Sequence, residues 1–431
     1  MELNHIFYIM NKKNKRFNIL AAATFVLAMM SACSDVVKYQ DEVEDLFHND
    51  GAPVIAAVYD ATPDADQATP INVGVLKQFI KLQGQNLSHP TKVVINGIDV
   101  DVRQIYAENN TSWIRIPRVV PEVETGKLVY ETAQGSYSID FDVTIPSLDL
   151  QGLENEFILP GKEVRVKGDF FDLYEFNDTT DASPASITIT NEALGYHEVI
   201  KTDSCTESYT SIIIPEDCPD NSLITFSWIE MGEKRSQTIP YRMTDQLMYG
   251  NFEGDLGWWN DWGKSLVTSG GNGGPESLGY AFLRITGTFG AWEWNSTGFG
   301  CNWRWLDASA HPENYVFKFE IWTNSNYPYY SYGDNGLYGT HNGGYNITLN
   351  NGAPRRQFDP ISEYGISNTY GHWMTVSMPL NEMFDADHAL PTTPDQWVNL
   401  EFVLQPNPID GESPWNVDHA WGQFRIEPKQ Y

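Results

Sequence analysis

The 431-residue chain reads as all-β: two small β-sandwich domains in tandem, followed by a larger jelly-roll β-sandwich. Three observations predict this. From Ala52 onward, short runs alternate apolar with polar residues between Gly, Asn and Pro turns, and no helical period of useful length interrupts them. One phrase of strands occurs twice. Near Leu247 the composition shifts: 12 of the 14 Trp lie beyond it, Gly and Asn rise, and Lys and Arg thin out.

The N-terminus has the form of an export signal. Lys12, Lys13, Lys15 and Arg16 precede an apolar run, Ile19 to Met30, that is too short to span a bilayer comfortably. Met30-Ser31-Ala32-Cys33 closes the run and resembles the lipobox of bacterial lipoproteins, which implies cleavage after residue 32 and acylation of Cys33. Several acyl chains on one residue hold a protein at a membrane where one alone would not. Ser34-Asp35 and the acids Asp41, Glu42, Glu44 and Asp45 follow, a pattern similar to the surface-export tag of Bacteroidetes lipoproteins. The expected address is the outer membrane, lipid-anchored and facing the exterior.

Removing residues 1–32 takes away Glu2 and the four cations named above, so the formal charge moves from −30 to −33. Such a field repels nucleic acid, anionic lipid and polyanionic glycans, and favours a neutral ligand. Cys205 and Cys218, which flank Ile212-Ile213-Ile214, are candidates for a disulfide in an exported protein, and Cys301 reads as a buried thiol. No Cys/His spacing suggests zinc, and His341, His372 and His419 read as structural.

Residues 33–50 form the acylated Cys and a polar, acidic tether. In residues 51–146, Phe79 to Gly84 leads to Asn86-Leu87. Lys92 to Val100 follows as a strand pair about an Asn96-Gly97 turn, then Trp113 to Pro117, Lys127 to Tyr130, and Tyr137 to Val143. Residues 147–245 repeat the phrase: Glu163 to Phe171 answers the strand ending at Gly84, Ser186 to Thr190 the next, and Ser211 to Pro215 the run ending at Pro117. In residues 246–431, strands are legible at 281–286, 316–322, 345–349, 373–378, 400–404 and 422–426.

The candidate site lies in Gly290 to Trp305, GAWEWNSTGFGCNWRW. Trp292 with Trp294, and Trp303 with Trp305, are spaced to put each pair on one face of an extended backbone. Indoles are broad and apolar with one polar N–H, and so suit a ligand that has both C–H faces and hydroxyls, such as a sugar chain. Gly290, Asn295, Ser296, Gly298, Gly300 and Asn302 around them read as loop, which predicts exposed rings. Trp258, Trp259 and Trp262 form a second cluster. Asn260, Asp261, Glu293, Asn295 and Arg304 are candidates for binding hydroxyls, and Tyr327 to Tyr338 for a further aromatic wall.

The phrase of apolar strand, Gly, Asn-Leu, V-x-I-N-G-x-x-V and I-x-I-P resembles the IPT/TIG immunoglobulin-like domains. That resemblance implies two such sandwiches, acting as spacers, before the carbohydrate-binding jelly roll. The opening N-F-E-G (251–254), A-F-L-R-I (281–285) and the closing F-R-I (424–426) resemble non-catalytic carbohydrate-binding jelly rolls. Together with the lipobox and tandem repeat, the chain resembles the Bacteroidetes surface glycan-binding proteins of SGBP-B type, whose last domain is called xyloglucan-binding. The resemblance implies a non-enzymatic lipoprotein that stacks a β-glucan on Trp and Tyr, beside a TonB-dependent transporter and its SusD-like partner. It matches Trp258 or Trp259 to the family's early platform Trp, and Trp292 with Trp294 to the later aromatic pair. Where the family often closes on D-N-F-R-I, this chain has Gly422-Gln423-Phe424-Arg425-Ile426. A structural calcium ion there is left open, and no other cofactor is implied.

A β-mannan or galactomannan is the alternative ligand. An endo-acting hydrolase would need paired carboxylates flanking the sugar bond; Glu293 and Asp261 sit beside Trp, but no GxSxG, HExxH, P-loop or Rossmann pattern occurs. A scaffold protein would instead bury the Trp as core.

Overall fold

The computed structural model describes residues 46–261, 263–271, 273–290, 293–329, 345–349, 356–384, 388–404 and 414–429. The signal, Cys33, most of the tether, Trp262, Trp292, His341 and 330–338 of the tyrosine-rich segment lie outside these residues. The chain divides into two compact units, Met1–Pro146 with Glu230–Gly232, and Ser147–Ile229 with Glu233–Tyr431.

The first unit is a β-sandwich. One sheet runs Val54–Asp60, Phe79–Gln85, Thr111–Arg115, Tyr106–Ala107, and the facing one Ile98–Val100, Pro90–Ile95, Lys127–Thr132, Gly135–Asp140. Alternation along each strand puts Ile55, Val58, Ile80, Leu82, Val93, Ile95, Ile114 and Leu128 into a common core. The expected Asn-Gly turn is present: Asn96 and Gly97 both have positive φ, which a two-residue hairpin of right-handed twist demands.

The second unit begins with a similar sandwich. Its sheets run Asp149–Leu153, Glu163–Asp169, Thr210–Ile213, Thr202–Cys205, and Tyr196–Ile200, Ser186–Asn191, Ser222–Glu230, Glu233–Tyr241. A shared glycine detail marks the repeat. Gly84 pairs with Ile55 at a register shift, and a Cβ on it would lie 1.9 Å from the Val54 carbonyl oxygen. Gly168 pairs with Leu150 at the same kind of shift, 2.0 Å from the Asp149 carbonyl oxygen. Each bulge presses one backbone onto the next, so only glycine fits. Cys205 and Cys218 are free thiols here, contrary to the expected bridge. Cys205 sits on an edge strand, where Thr210 Oγ1 donates to its sulfur at 3.5 Å. Cys218 lies in a separate turn with its Sγ donating to the Pro219 carbonyl at 3.8 Å, and burial pushes its thiol up to about 11.

The C-terminal sandwich has two five-stranded antiparallel sheets. One runs Trp259–Asn260, Asn295–Asn302, Trp397–Leu404, Tyr345–Leu349, Arg356–Phe358; the other runs Ser265–Thr268, Phe282–Phe289, Trp415–Pro428, Tyr315–Thr323, Met374–Pro379. Between them lies a core rich in rings, including Phe299, Phe317, Phe319, Phe402, Trp421 and Phe424.

The two sandwiches of this unit are joined by buried charges. Glu156 reaches from the first onto the outer face of the Tyr315–Thr323 and Trp415–Pro428 strands. There Lys318 Nζ donates to its Oε1 at 2.8 Å and Arg425 Nη2 to its Oε2 at 2.7 Å. Arg425 also donates to Glu320 and Glu427, each at 2.7 Å. Burial raises the Glu156 carboxyl, but Lys318 and Arg425 outweigh burial and hold it below its ordinary value. For Glu320 burial dominates over Arg425 and pushes the carboxyl up to about 7. Thr375 links the two, its Oγ1 accepting the Glu156 N–H and donating to Glu320 Oε1.

Candidate functional site

The stretch expected to be loop is an interior strand. Asn295–Asn302 lies between Trp259–Asn260 and Trp397–Leu404 in continuous register. Its glycines have a packing reason rather than a turn reason. Phe299 and Cys301 point into the core, so Ser296, Gly298 and Gly300 point outward. A Cβ on Gly298 would lie 2.3 Å from Trp259 Cη2 and Cζ2, and one on Gly300 2.2 Å from Trp397 Nε1 and 2.3 Å from Cε2. Each indole therefore lies against bare backbone. The two glycines are two residues apart, about 7 Å along the strand, so the rings stand side by side on one outward face.

Polar groups on that face are held in place. The Trp259 indole N–H donates to Ser296 Oγ at 3.3 Å, and Ser296 donates to Asp261 Oδ2 at 3.0 Å. Trp397 donates to Asn399 Oδ1 at 2.7 Å. Asn399 pairs with Gly300 and Glu401 with Gly298, so both side chains share the face with the rings; Thr348 Oγ1 reaches Glu401 Oε2 at 3.5 Å. The surface offers two apolar shelves among fixed hydrogen-bonding groups, which is the pattern that a hydroxylated ring chain requires.

The sequence-predicted residues divide around this face. Trp259 is on it, and Asp261 joins it through Ser296. Trp294 is 44% exposed immediately before the Asn295–Asn302 strand. Trp258 is 45% exposed but belongs to the opposite side of its strand: it stacks on Phe299 at 5.8 Å and donates to Thr297. Glu293 is exposed and accepts the Gly290 N–H, while Asn295 is buried and donates to the Glu293 carbonyl. Asn260 donates to the Ser265 carbonyl, a local tie.

Trp303 and Trp305 correct the expectation of a second shelf, being 0% and 8% exposed. The chain leaves the sheet after Asn302, and both rings turn into the core 5.2 Å apart. Trp303 Nε1 donates to Ser309 Oγ and Trp305 Nε1 to Gln246 Oε1, which pays for burying their N–H groups. Arg304 donates to the Leu247 carbonyl and covers the Trp305 ring, a structural role. In the tyrosine-rich segment, Tyr327 is exposed but Tyr329 is core. His419 is buried between the Tyr345 hydroxyl and the Tyr327 carbonyl, and burial lowers it to about 4.

Sequence reasoning missed Trp397, which is 42% exposed. The signal was present in two alternations read together. Trp397-Val-Asn-Leu-Glu-Phe puts Trp, Asn and Glu on one face. Ser296-Thr-Gly-Phe-Gly-Cys puts glycines on the same face of the neighbouring strand.

The chain is all-β, and its C-terminal β-sandwich presents an aromatic face of the chemistry that a carbohydrate requires. Residues 241–428, the C-terminal sandwich, match the family described as "Surface glycan-binding protein B xyloglucan binding domain". Similar solved structures include the surface glycan-binding protein PbSGBP-B from Prevotella bryantii: 16% identity, 89% of this chain and 100% of that one, TM-score 0.45. Another is SGBP-B from a complex xyloglucan utilization locus in Bacteroides uniformis: 18% identity, 88% and 99%, TM-score 0.45. A third is the Bacteroides ovatus mixed-linkage glucan utilization locus SGBP-B in complex with a mixed-linkage heptasaccharide: 12% identity, 85% and 75%, TM-score 0.22. No curated protein matches the chain significantly.

Proposed function

We propose that this protein captures a neutral plant polysaccharide, xyloglucan or another β-glucan, on the face built by Trp259 and Trp397, and does so without cleaving it. The observation that carries this reading is the pair of indoles seated on Gly298 and Gly300 among hydrogen-bonding groups that the sheet already holds in place. Equatorially linked glucans present flat C–H faces, and each ring covered contributes about 1–2 kcal/mol. Two or three rings then give micromolar to millimolar affinity after association costs. The charge of −30 favours a neutral chain over an anionic one. Asp261 and Glu401 serve as acceptors for sugar hydroxyls, each already oriented by a neighbouring hydroxyl.

The lipobox at Cys33 supports anchoring at the outer membrane, facing outward, and the family match of residues 241–428 supports delivery to a TonB-dependent transporter with its SusD-like partner. Binding in this reading needs no cofactor. Affinity electrophoresis against xyloglucan, mixed-linkage glucan, galactomannan and xylan tests the assignment. Selective retardation by one or more β-glucans is expected. Retardation by galactomannan alone would transfer the reading to β-mannan, and shortening of the polymer on incubation would overturn the non-catalytic part.

A further inference from the structure

We propose that the cleft between the second sandwich and the C-terminal sandwich is a separate sugar site that takes a short neutral oligosaccharide. The ligand class rests on the function proposed above; the site itself does not. Its volume is about 590 Å³, within the range of small-ligand sites, which favour domain interfaces. Both walls belong to one compact unit, so the cleft is preformed. Its position is on the far side of the sandwich from Trp259 and Trp397. Trp322 shares the outer face of its strand with Lys318 and Glu320, on the other of the two sheets.

The chemistry of the lining suits a polyol. Lys162 and Arg165 offer donors and Glu154, Glu163 and Glu276 offer acceptors, so both kinds of partner are present and the slight excess of carboxylates disfavours an anion. Sugar hydroxyls do both jobs at once. The inner wall is apolar, formed by Trp322 and Trp373, and Tyr209 stands at the rim with the Arg165 guanidinium 5.2 Å from its ring centroid.

One donor is left over. Trp373 Nε1 donates to the Glu276 carbonyl at 2.9 Å, but Trp322 Nε1, buried at the same wall, has no hydrogen-bond partner among the described residues. An orphaned buried N–H is costly, and an acceptor brought by a ligand relieves it. Gly371 lines the cleft beside it: a Cβ there would lie 4.0 Å from Trp322 Nε1, and its φ of +82° is one that side chains rarely adopt. Glycine at 371 therefore places no side chain beside this donor.

The test uses the full mature chain carrying W259A/W397A, which removes the open face and leaves the cleft intact. The chain is labelled with ¹⁵N-Trp, and the Trp322 indole resonance is assigned by W322F. Cellotetraose, mannotetraose and tetragalacturonate are titrated separately. A saturable shift of the Trp322 indole proton with a neutral tetrasaccharide is expected, weakened about fivefold to tenfold by adding K162A/Y209A, two exposed positions whose change leaves the fold in place. A silent Trp322 at millimolar sugar, a response to tetragalacturonate alone, or a shift indifferent to K162A/Y209A would each overturn the proposal. The two readings fail separately. Polysaccharide binding by the wild type with a silent cleft sinks only the cleft. A responsive cleft, in a protein whose wild-type polysaccharide affinity survives W259A/W397A, sinks only the open face.

Discussion

Replacing Gly300 by Ala perturbs the binding face without removing any group that touches a ligand. The added methyl would lie 2.2 Å from Trp397 Nε1, 2.3 Å from Cε2 and 2.5 Å from Asn399 Oδ1, where carbon contacts need about 3.5–4.0 Å. The indole must therefore move outward by about 1.5 Å or swing off the sheet. Trp397 is 42% exposed, which for a side chain of this size leaves roughly 60–100 Å² for a sugar to cover, or about 1.5–2.5 kcal/mol at about 25 cal/mol per Å². Losing the lower figure weakens binding by about tenfold. Stability should move the other way or not at all, because both displaced side chains face solvent and Gly in a strand interior costs roughly 0.5–1 kcal/mol relative to Ala. Isothermal titration with a β-glucan oligosaccharide, paired with a thermal melt, reads both. An affinity within about twofold of wild type in a fully folded G300A protein would refute the seating of the ring as the source of binding.

Other expectations concern the framework. Trp303→Ala should lower stability by about 3–5 kcal/mol in denaturant unfolding, as loss of a fully buried aromatic does, whereas Trp397→Ala should leave the unfolding midpoint nearly unchanged. Glu156→Ala removes a carboxylate that accepts from both Lys318 and Arg425, leaving Lys318 with Glu427 and Arg425 with Glu320 and Glu427, and should cost about 1.5–3 kcal/mol, read as a lower or split unfolding transition. Glu320 titrates at about 7 in the folded chain against 4.5 for an ordinary Glu, so its contribution is full below 4.5 and is lost as pH rises through about 7. His419, lowered from 6.5 to about 4, contributes above 6.5 and loses that contribution as pH falls through about 4. Urea midpoints across both windows should show Glu320→Gln removing the fall on the neutral side and leaving the fall on the acid side.

Much of the architecture was legible because a half-buried antiparallel strand writes itself as alternation, which fixed the strands at 316–322, 345–349 and 400–404 to within a few residues. The tandem repeat was legible through Gly84 and Gly168, though the reason for them, one backbone pressed on another at a bulge, lies in cross-strand pairing that no local pattern records. The site was half legible. Glycines at 298 and 300 were read by their usual meaning, a loop, when they are the floor under two indoles. Trp303 and Trp305 carry the same W-x-W spacing as an exposed pair, and only the turn of the chain after Asn302 sends them inward. Trp397 lies about a hundred residues from the cluster that drew attention, so only cross-strand pairing brings it to Gly300. The charge network about Arg425 joins residues as distant as 156 and 427, beyond any local pattern.

The affinity of the W259A/W397A double variant for xyloglucan, measured by isothermal titration beside the wild type, tests the open aromatic face most directly. Removing both shelves should cost about 3 kcal/mol or more, a loss of at least about a hundredfold that takes binding to the edge of detection. A folded double variant that binds as tightly as the wild type would contradict it and place the glycan elsewhere on the molecule.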